Sequence, residues 1–383
     1  MIRMNLLAAS LAGVLAILVP AAPVYPAPPA RVDAAALQAA LAPAVERAAA
    51  NGFSGAVLVA NGERVLFERA VGVADPRSGA AIADDTRFNL GSTGKLFTTV
   101  AVLQLVERGK LDLDAPIGRY LPHWPVASVR EKVTPRMLLQ HTSGLGAFWG
   151  EAFEARRAEL RRLRDYQPLL TQEPAFEPGS AWRYSNTGYM LLGLVIEAVS
   201  GEDYYDYVAR HVFAPAGMRD TGYFEPDGRA DRVARPHAGG SGEDARRTLP
   251  MPEPRGGAAG GGYSTPRDLL RFHRALLGGK LLGAKTLDLL FAPVALPGED
   301  GRRPPHGLGM LRYDTAAGTV YGHPGGAPGV SVEFRGARES GWAVIVMGNA
   351  NALRATPVAQ DVMAAIAASG GPDLRGNLRM QPR

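Results

Sequence analysis

The chain has 383 residues, 46% of them hydrophobic, with a formal charge of +5. This balance excludes a disordered chain, and arginines scattered without a basic block exclude a nucleic-acid partner. Cysteine is absent and the seven histidines form neither His-x-His nor His-Glu-x-x-His, which removes thiol catalysis, disulfides, lipid attachment through cysteine and the usual zinc-hydrolase patterns.

The N-terminus reads as a targeting segment. Arg3 is a short positive start, Leu6 to Val19 an apolar run, and Val19-Pro20-Ala21 and Pro20-Ala21-Ala22 offer small-residue cleavage sites. Residues 1–22 are therefore expected to be a secretory signal peptide, with a retained membrane anchor as the alternative. Pro23 to Pro29 follows as an extended linker. No stable membrane span is expected after signal removal, and the destination is a bacterial periplasm or the exterior.

Asp33 caps an expected helix through Leu37, Leu41 and Val45. Ala56 to Val59 and Val65 to Phe67 flank Asn61-Gly62, a strong hairpin signal. Leu96, Val100, Leu103 and Val106 mark a buried helix ending at Arg108-Gly109. Thr134-Pro135 opens a capped helix that ends at His141-Thr142-Ser143-Gly144-Leu145, where His141 is expected to be structural. Charge on most faces marks Ala152 to Tyr166 as a solvated surface helix. An apolar helix covers Met190 to Val199, and another runs from Tyr204 to Phe213. Pro236 to Gly262 reads as a glycine-rich surface loop of low order, and Thr265-Pro266 starts a further helix. From His306 the period changes. Leu308–Leu311, Thr319–Gly322, Val330–Phe334 and Trp342–Val346 are strand-like, Val358 to Ala368 is helical, and Gly370 onward is a loose tail. Strands at both ends and helices between them predict one antiparallel sheet flanked by helices, with a central all-helical half.

The chemistry centres on Phe88-Asn89-Leu90-Gly91-Ser92-Thr93-Gly94-Lys95. Gly94-Lys95 is not a phosphate loop, because Asn89 replaces the first glycine and Leu96 the Ser/Thr. Nor is this a Gly-x-Ser-x-Gly elbow, since Leu90 stands two before the serine. Ser92 and Lys95 are three apart at a helix start and so share a face. A serine needs a base, and burial disfavours the charged form of a lysine, so Lys95 suits that role. Tyr184 and Asn186, two apart in a segment read as extended or looped, face one side. A packed tyrosine beside a helix-capping Asn186 is the structural alternative. The glycines of His323-Pro324-Gly325-Gly326, between two strands, permit close backbone approach, and a tight hairpin turn fits the same spacing.

In that order, Ser92-x-x-Lys95, Tyr184-x-Asn186 and His323-x-Gly325 resemble the serine β-lactamase and penicillin-binding-protein-like family. That family includes class C β-lactamases, DD-carboxypeptidases, D-aminopeptidases and esterases. His141 to Leu145, Glu177-Pro178-Gly179, Pro215 to Met218 and Gly261 to Thr265 carry the likeness further. The resemblance implies an α/β (α+β) fold of the β-lactamase/transpeptidase type. Its hydrolase domain spans residues 23–369, with a sheet half at about 33–88 and 305–369, a helical half at about 89–304, and a flexible tail at 370–383. It implies Ser92 as acylated nucleophile, Lys95 as base and Tyr184 as proton relay. Asn186, His323, Gly325 and Gly326 would bind substrate, and the Ser92 and Gly326 N–H groups would form the oxyanion hole. No metal and no cofactor is implied. The partner is a small ester, amide or peptide substrate. His323 where class C enzymes carry lysine, and Pro324 where a hydroxyl residue is usual, count against β-lactam turnover. A β-lactamase or DD-carboxypeptidase, and an inactive scaffold of the same fold, are the alternatives. Phe148, Trp149, Tyr223 and Tyr263 are the expected pocket walls.

Overall fold

The computed structural model describes residues 32–223, 232–240, 243–250, 253, 255–294 and 305–376. The expected signal peptide and Pro23–Pro29 linker lie outside the described residues. Six antiparallel strands form the main sheet: β1 (Gly55–Asn61), β2 (Arg64–Val71), β3 (Leu311–Thr315), β4 (Gly318–Ala327), β5 (Val330–Ala337) and β6 (Trp342–Gly348). Their spatial order is β2-β1-β6-β5-β4-β3. The two ends of the chain meet where β1 pairs with β6, from Gly55 against Gly348 to Asn61 against Trp342. Gly62, at a φ of 52°, closes the β1–β2 hairpin in a conformation that favours glycine.

The long helices are α1 (Ala34–Ala50), α2 (Lys95–Glu107), α3 (Asn186–Ser200), α4 (Pro266–Leu277) and α5 (Ala355–Ala368). Side chains alternate across the sheet, as the period of a strand requires. Val57, Val59, Trp342, Val344 and Val346 share one core with Leu41 and Val45 of α1 and Val362 and Ile366 of α5. Ala56, Leu58, Ala343, Ile345 and Met347 lie in a second core with α2, α3 and α4. Every residue of α2 from Lys95 to Leu105 is buried. A helix buried on all sides is a rigid platform for a side chain at its first turn.

Four expectations change. Ala152 to Tyr166 is not one solvated helix: it breaks after Arg156, and Phe153, Leu160, Leu163 and Tyr166 are buried. The apolar residues at those spacings draw the segment onto the core. The end of the glycine-rich stretch is interior, not surface loop. Gly256–Gly257 pairs with Gly260–Gly261, and Ala258 and Ala259 are buried. The strand expected at Leu308–Leu311 starts only at Leu311, because Leu308 and Met310 turn into the core on the helical side. The tail is anchored further than Gly370, since Leu374 packs into the α1/α5 core, while residues 377–383 lie outside the described residues. Among the described residues no helix is long and apolar enough to cross a membrane.

Candidate active site

Ser92 lies on a single 3-10 turn, Gly91–Gly94, that runs directly into α2. Asn89 shapes the entry by accepting the Gly91 N–H at 2.9 Å, and Leu90 N–H donates to Gly262 O at 3.0 Å. Two glycine backbones clamp the turn. A Cβ on Gly325 would sit 1.9 Å from Leu90 O, and one on Gly260 would sit 2.6 Å from Gly91 O. Both positions therefore require glycine, and Gly326 N lies 2.7 Å from where a Gly91 Cβ would stand.

Lys95 is completely buried. Its Nζ lies 3.4 Å from Ser92 Oγ, donates to Asn186 Oδ1 at 2.6 Å and bonds the Ala259 carbonyl. Burial lowers its pKa to about 7, against a partial upward pull from Glu253. At neutral pH a large fraction of this amine is thus unprotonated. The helix cap preceding Asn186 is Ser185, whose hydroxyl accepts the Gly188 N–H at 2.8 Å. Asn186 is the first residue of α3 and is free to face Lys95, which removes its reading as a capping residue.

Tyr184 stands on the other side of the amine, with its ring centroid 4.9 Å from Lys95 Nζ. Burial raises its phenol above the usual range, and the nearby Ser92 hydroxyl opposes the rise. That contact is loose and falls short of a formed hydrogen bond. His141 packs against the Tyr184 ring at 4.5 Å, and its Nδ1 accepts the Ser185 N–H at 3.1 Å. Burial among His306, Lys95 and His323 keeps it neutral, so it braces the Tyr184 segment as expected of a structural residue.

His323-Pro324-Gly325-Gly326 is part of β4 itself, and the turn falls later, between Ala327 and Val330. β3 pairs with β4 only as far as Gly322, so among the described residues no strand pairs with that edge from His323 onward. Proline is tolerated at such an edge and the Ser92 turn approaches there. Thr93 Oγ1 donates to His323 O at 3.0 Å. His323 Nδ1 donates to Pro324 O at 2.6 Å, which leaves Nε2 as an unprotonated acceptor without a partner. Burial beside Lys95 lowers its pKa to about 3, so His323 is a neutral group and not a positive one.

A cleft of about 290 Å³ opens over Ser92; Lys95 and His323 are buried and, like the half-buried Tyr184, do not line it. Its walls are Asn89, Gly91, Trp149, Phe153, Glu154 and Glu253, then Ala259–Gly261 and Gly326–Pro328. Of the four expected aromatic walls only Trp149 lines it; Phe148, Tyr223 and Tyr263 are buried in the packing behind. Phe153, Glu154, Ala259 and Glu253 were not legible as site residues. Phe153 sat in a segment read as solvated, and nothing in the local pattern around Glu253 signals burial.

Fold and site define a serine hydrolase of β-lactamase/transpeptidase type. The chain belongs to the beta-lactamase family, whose model matches residues 37–368. Penicillin-binding protein 4* of Bacillus subtilis is 31% identical over 295 residues, 73% of this chain and 64% of its own length. Esterase EstB of Burkholderia gladioli is 33% identical over 322 residues, covering 70% of this chain and 80% of that one. Among solved structures, the penicillin binding protein from Bacillus halodurans matches with a TM-score of 0.73 and 32% identity, over 86% of this chain and 98% of that one. The D-amino acid amidase from Ochrobactrum anthropi SV3, complexed with L-phenylalanine amide, matches with a TM-score of 0.71 and 26% identity, over 88% and 99%.

Proposed function

We propose that this chain hydrolyses small esters or amides through a covalent acyl-Ser92 intermediate. The observation that carries the reading is the buried Lys95 amine, 3.4 Å from Ser92 Oγ with a pKa of about 7. Unprotonated Lys95 takes the proton of Ser92 as Oγ attacks the substrate carbonyl. The Ser92 and Gly326 N–H groups receive the oxyanion, an interaction whose loss costs roughly a hundredfold or more in rate. Collapse of the tetrahedral adduct breaks the carbonyl–leaving-group bond, and Tyr184 passes the proton to the departing alcohol or amine. Water then attacks the acyl-serine, giving up a proton to Lys95 by way of Tyr184; the bond from the carbonyl carbon to Ser92 Oγ breaks, the acid departs, and Lys95 returns the proton to Oγ. Asn186 holds Lys95 in place throughout.

The relatives named as an esterase and as an amidase support this substrate class. The alternatives, β-lactamase and DD-carboxypeptidase, handle substrates with a carboxylate. Here His323 is neutral, Pro324 offers no hydroxyl, and no cationic side chain lines the cleft among the described residues. The Arg354 guanidinium near Gly326 is turned to the Val330 carbonyl, at 3.0 Å. The N-terminal pattern of residues 1–22 supports export to the periplasm or the exterior. The test is turnover of p-nitrophenyl acetate against a chromogenic cephalosporin, with intact-protein mass after a covalent serine probe. Ester turnover and labelling, both lost in Ser92→Ala, are expected. Ester turnover surviving in Ser92→Ala defeats the mechanism, and efficient cephalosporin turnover without ester turnover defeats the substrate class.

A further inference from the structure

Trp149 and Val65 are the large apolar side chains that stay exposed among the described residues, each at 45%. Val65 lies on β2, at the outer edge of the main sheet. Trp149 instead lines the cleft over Ser92, where Phe153, Ala259, Ala327 and Pro328 are the other apolar walls. The indole is held in place there. Its ring lies 4.9 Å from that of Phe148, which packs in turn on buried Phe153 and Tyr166 at 5.8 and 5.7 Å. Its N–H donates to the Glu253 carboxyl group. The Oε2 of that carboxyl is buried without a partner, so Glu253 serves the indole and not a ligand. An aromatic face fixed in this way gains apolar contact with a ligand at little cost in side-chain entropy.

Tyr184, which passes the proton to the leaving group, does not line this cavity, and neither do Lys95 and His323. The leaving group therefore belongs on the Tyr184 side of Ser92, and the cavity receives the acyl part. We infer that Trp149 is a specificity-determining residue for the acyl group, and that Glu253 is the positioning residue that holds its indole. One face of an apolar acyl chain lies on the indole, so the hydrolase prefers esters and amides of such acids over acetyl compounds. The inference rests on the acyl-Ser92 reading above and adds which acyl groups that site takes.

The test compares p-nitrophenyl hexanoate with p-nitrophenyl acetate, each kcat/KM divided by the rate constant for hydroxide hydrolysis of the same ester. The leaving group is common, so the ratio reads the acyl pocket alone. In wild type the hexanoate should be favoured roughly tenfold, less than full burial of the added methylenes would give, because the indole covers one side. Trp149→Ala should bring the ratio near one, and Trp149→Phe should keep part of it. Glu253→Ala should lower the ratio with Trp149 still present, and Glu253→Gln, which keeps an acceptor for the indole N–H, should restore most of it. Trp149 is half exposed and its replacement empties no core, so wild type and Trp149→Ala decide even where Glu253→Ala does not fold. A wild-type ratio of one or less, or a full ratio persisting in Trp149→Ala, overturns the inference and leaves acyl-serine chemistry intact. A rise in hexanoate turnover in Trp149→Ala does the same, since the indole would then block the chain. A full ratio in Glu253→Ala overturns the positioning role of Glu253. Neither ester being cleaved, with no probe adduct on Ser92, overturns the acyl-serine reading itself.

Discussion

The two faces of the main sheet bury charge in opposite ways. On the α1/α5 face, β5 points Glu333 and Arg335 into the core, each 1% exposed, with Nε and Oε1 2.8 Å apart. Thr356 Oγ1 of α5 donates to Glu333 at 2.7 Å, and Tyr313 packs under the guanidinium at 4.7 Å. On the cleft face, Lys95 is fully buried with neutral acceptors and, among the described residues, no carboxylate in contact. His141, His306 and His323 around it are neutral, each with an unpartnered Nε2. The outer face pairs its two charges with each other, although Glu333 Oε1 and Arg335 Nε and Nη1 form no hydrogen bond. The inner face holds an amine without a charged partner in contact and imidazoles kept neutral, and such groups are the ones available to take or give a proton.

The largest expected effects come from the unmatched side. Ser92→Ala and Lys95→Met should each lower kcat on p-nitrophenyl acetate by roughly a thousandfold or more, and the double variant by little beyond, because groups acting as a unit are not additive. Stability should respond differently. The folded Lys95 pKa of about 7 lies below the 10.5 of an exposed lysine. Between those values the unfolded chain binds more protons, so this group makes stability rise with pH across that window. Integrated, the rise is on the order of 4 kcal/mol. Urea unfolding of Lys95→Met at pH 7 and 10 should lack it; an equal rise in both proteins would show that Lys95 is charged in the fold.

Next comes the matched side. Glu333→Gln or Arg335→Met alone leaves one buried charge unpaired and should cost about 3–5 kcal/mol, while Glu333→Leu with Arg335→Met together should cost little. Activity per folded molecule should stay close to wild type, because neither residue reaches the cleft. A loss of kcat without loss of stability would put the pair in the site and erase the contrast between faces.

How much of this was legible follows the same division. The apolar runs of β1, β5 and β6, the glycine of the hairpin and the Ser92/Lys95 spacing are local patterns and were legible, whereas the run at Leu308–Leu311 misplaced β3, which starts only at Leu311. Which face a strand residue takes was not legible, since β1 and β6 are apolar on both. Glu253 was invisible for a different reason. Its carboxyl group is bonded by the Trp149 side chain, distant in sequence, and no local period encodes its burial. His323 was legible as a motif position, but its neutrality depends on burial and on the Pro324 carbonyl, which spacing does not report.

A smaller effect is in pH. The acid limb of kcat/KM should have an apparent pKa near 7, with rate lost below it as Lys95 is protonated. Glu253, pushed up to about 7 by burial, titrates in the same range, so the limb belongs to the pair. Since the Glu253 charge holds the Lys95 pKa up, Glu253→Gln should move the limb to lower pH. A limb that stays in place would mean the two groups do not interact. Acid stability carries the mark of the histidines. Folded pKa values of about 3 for His323 and about 4 for His306 lie below the 6.5 of an exposed histidine, so stability should fall as pH drops below 6.5 toward those values.

The smallest effect tests the edge of β4 at Pro324. Pro324→Thr restores a hydroxyl and a backbone N–H opposite Glu333 in the β5 register, beyond the point where β3 stops pairing. The new hydroxyl adds one donor for a substrate carboxylate, while the neutral His323 and the carboxylates of Glu154 and Glu253 remain. Cephalosporin turnover should therefore rise only a fewfold, about the worth of one neutral hydrogen bond. A second change, Glu253→Gln in the Pro324→Thr background, should raise it further by removing the repelling charge. If Pro324→Thr alone gave efficient cephalosporin turnover, the missing hydroxyl and not the acidic wall would be what keeps carboxylate substrates out. No further rise from the added Glu253→Gln would point the same way.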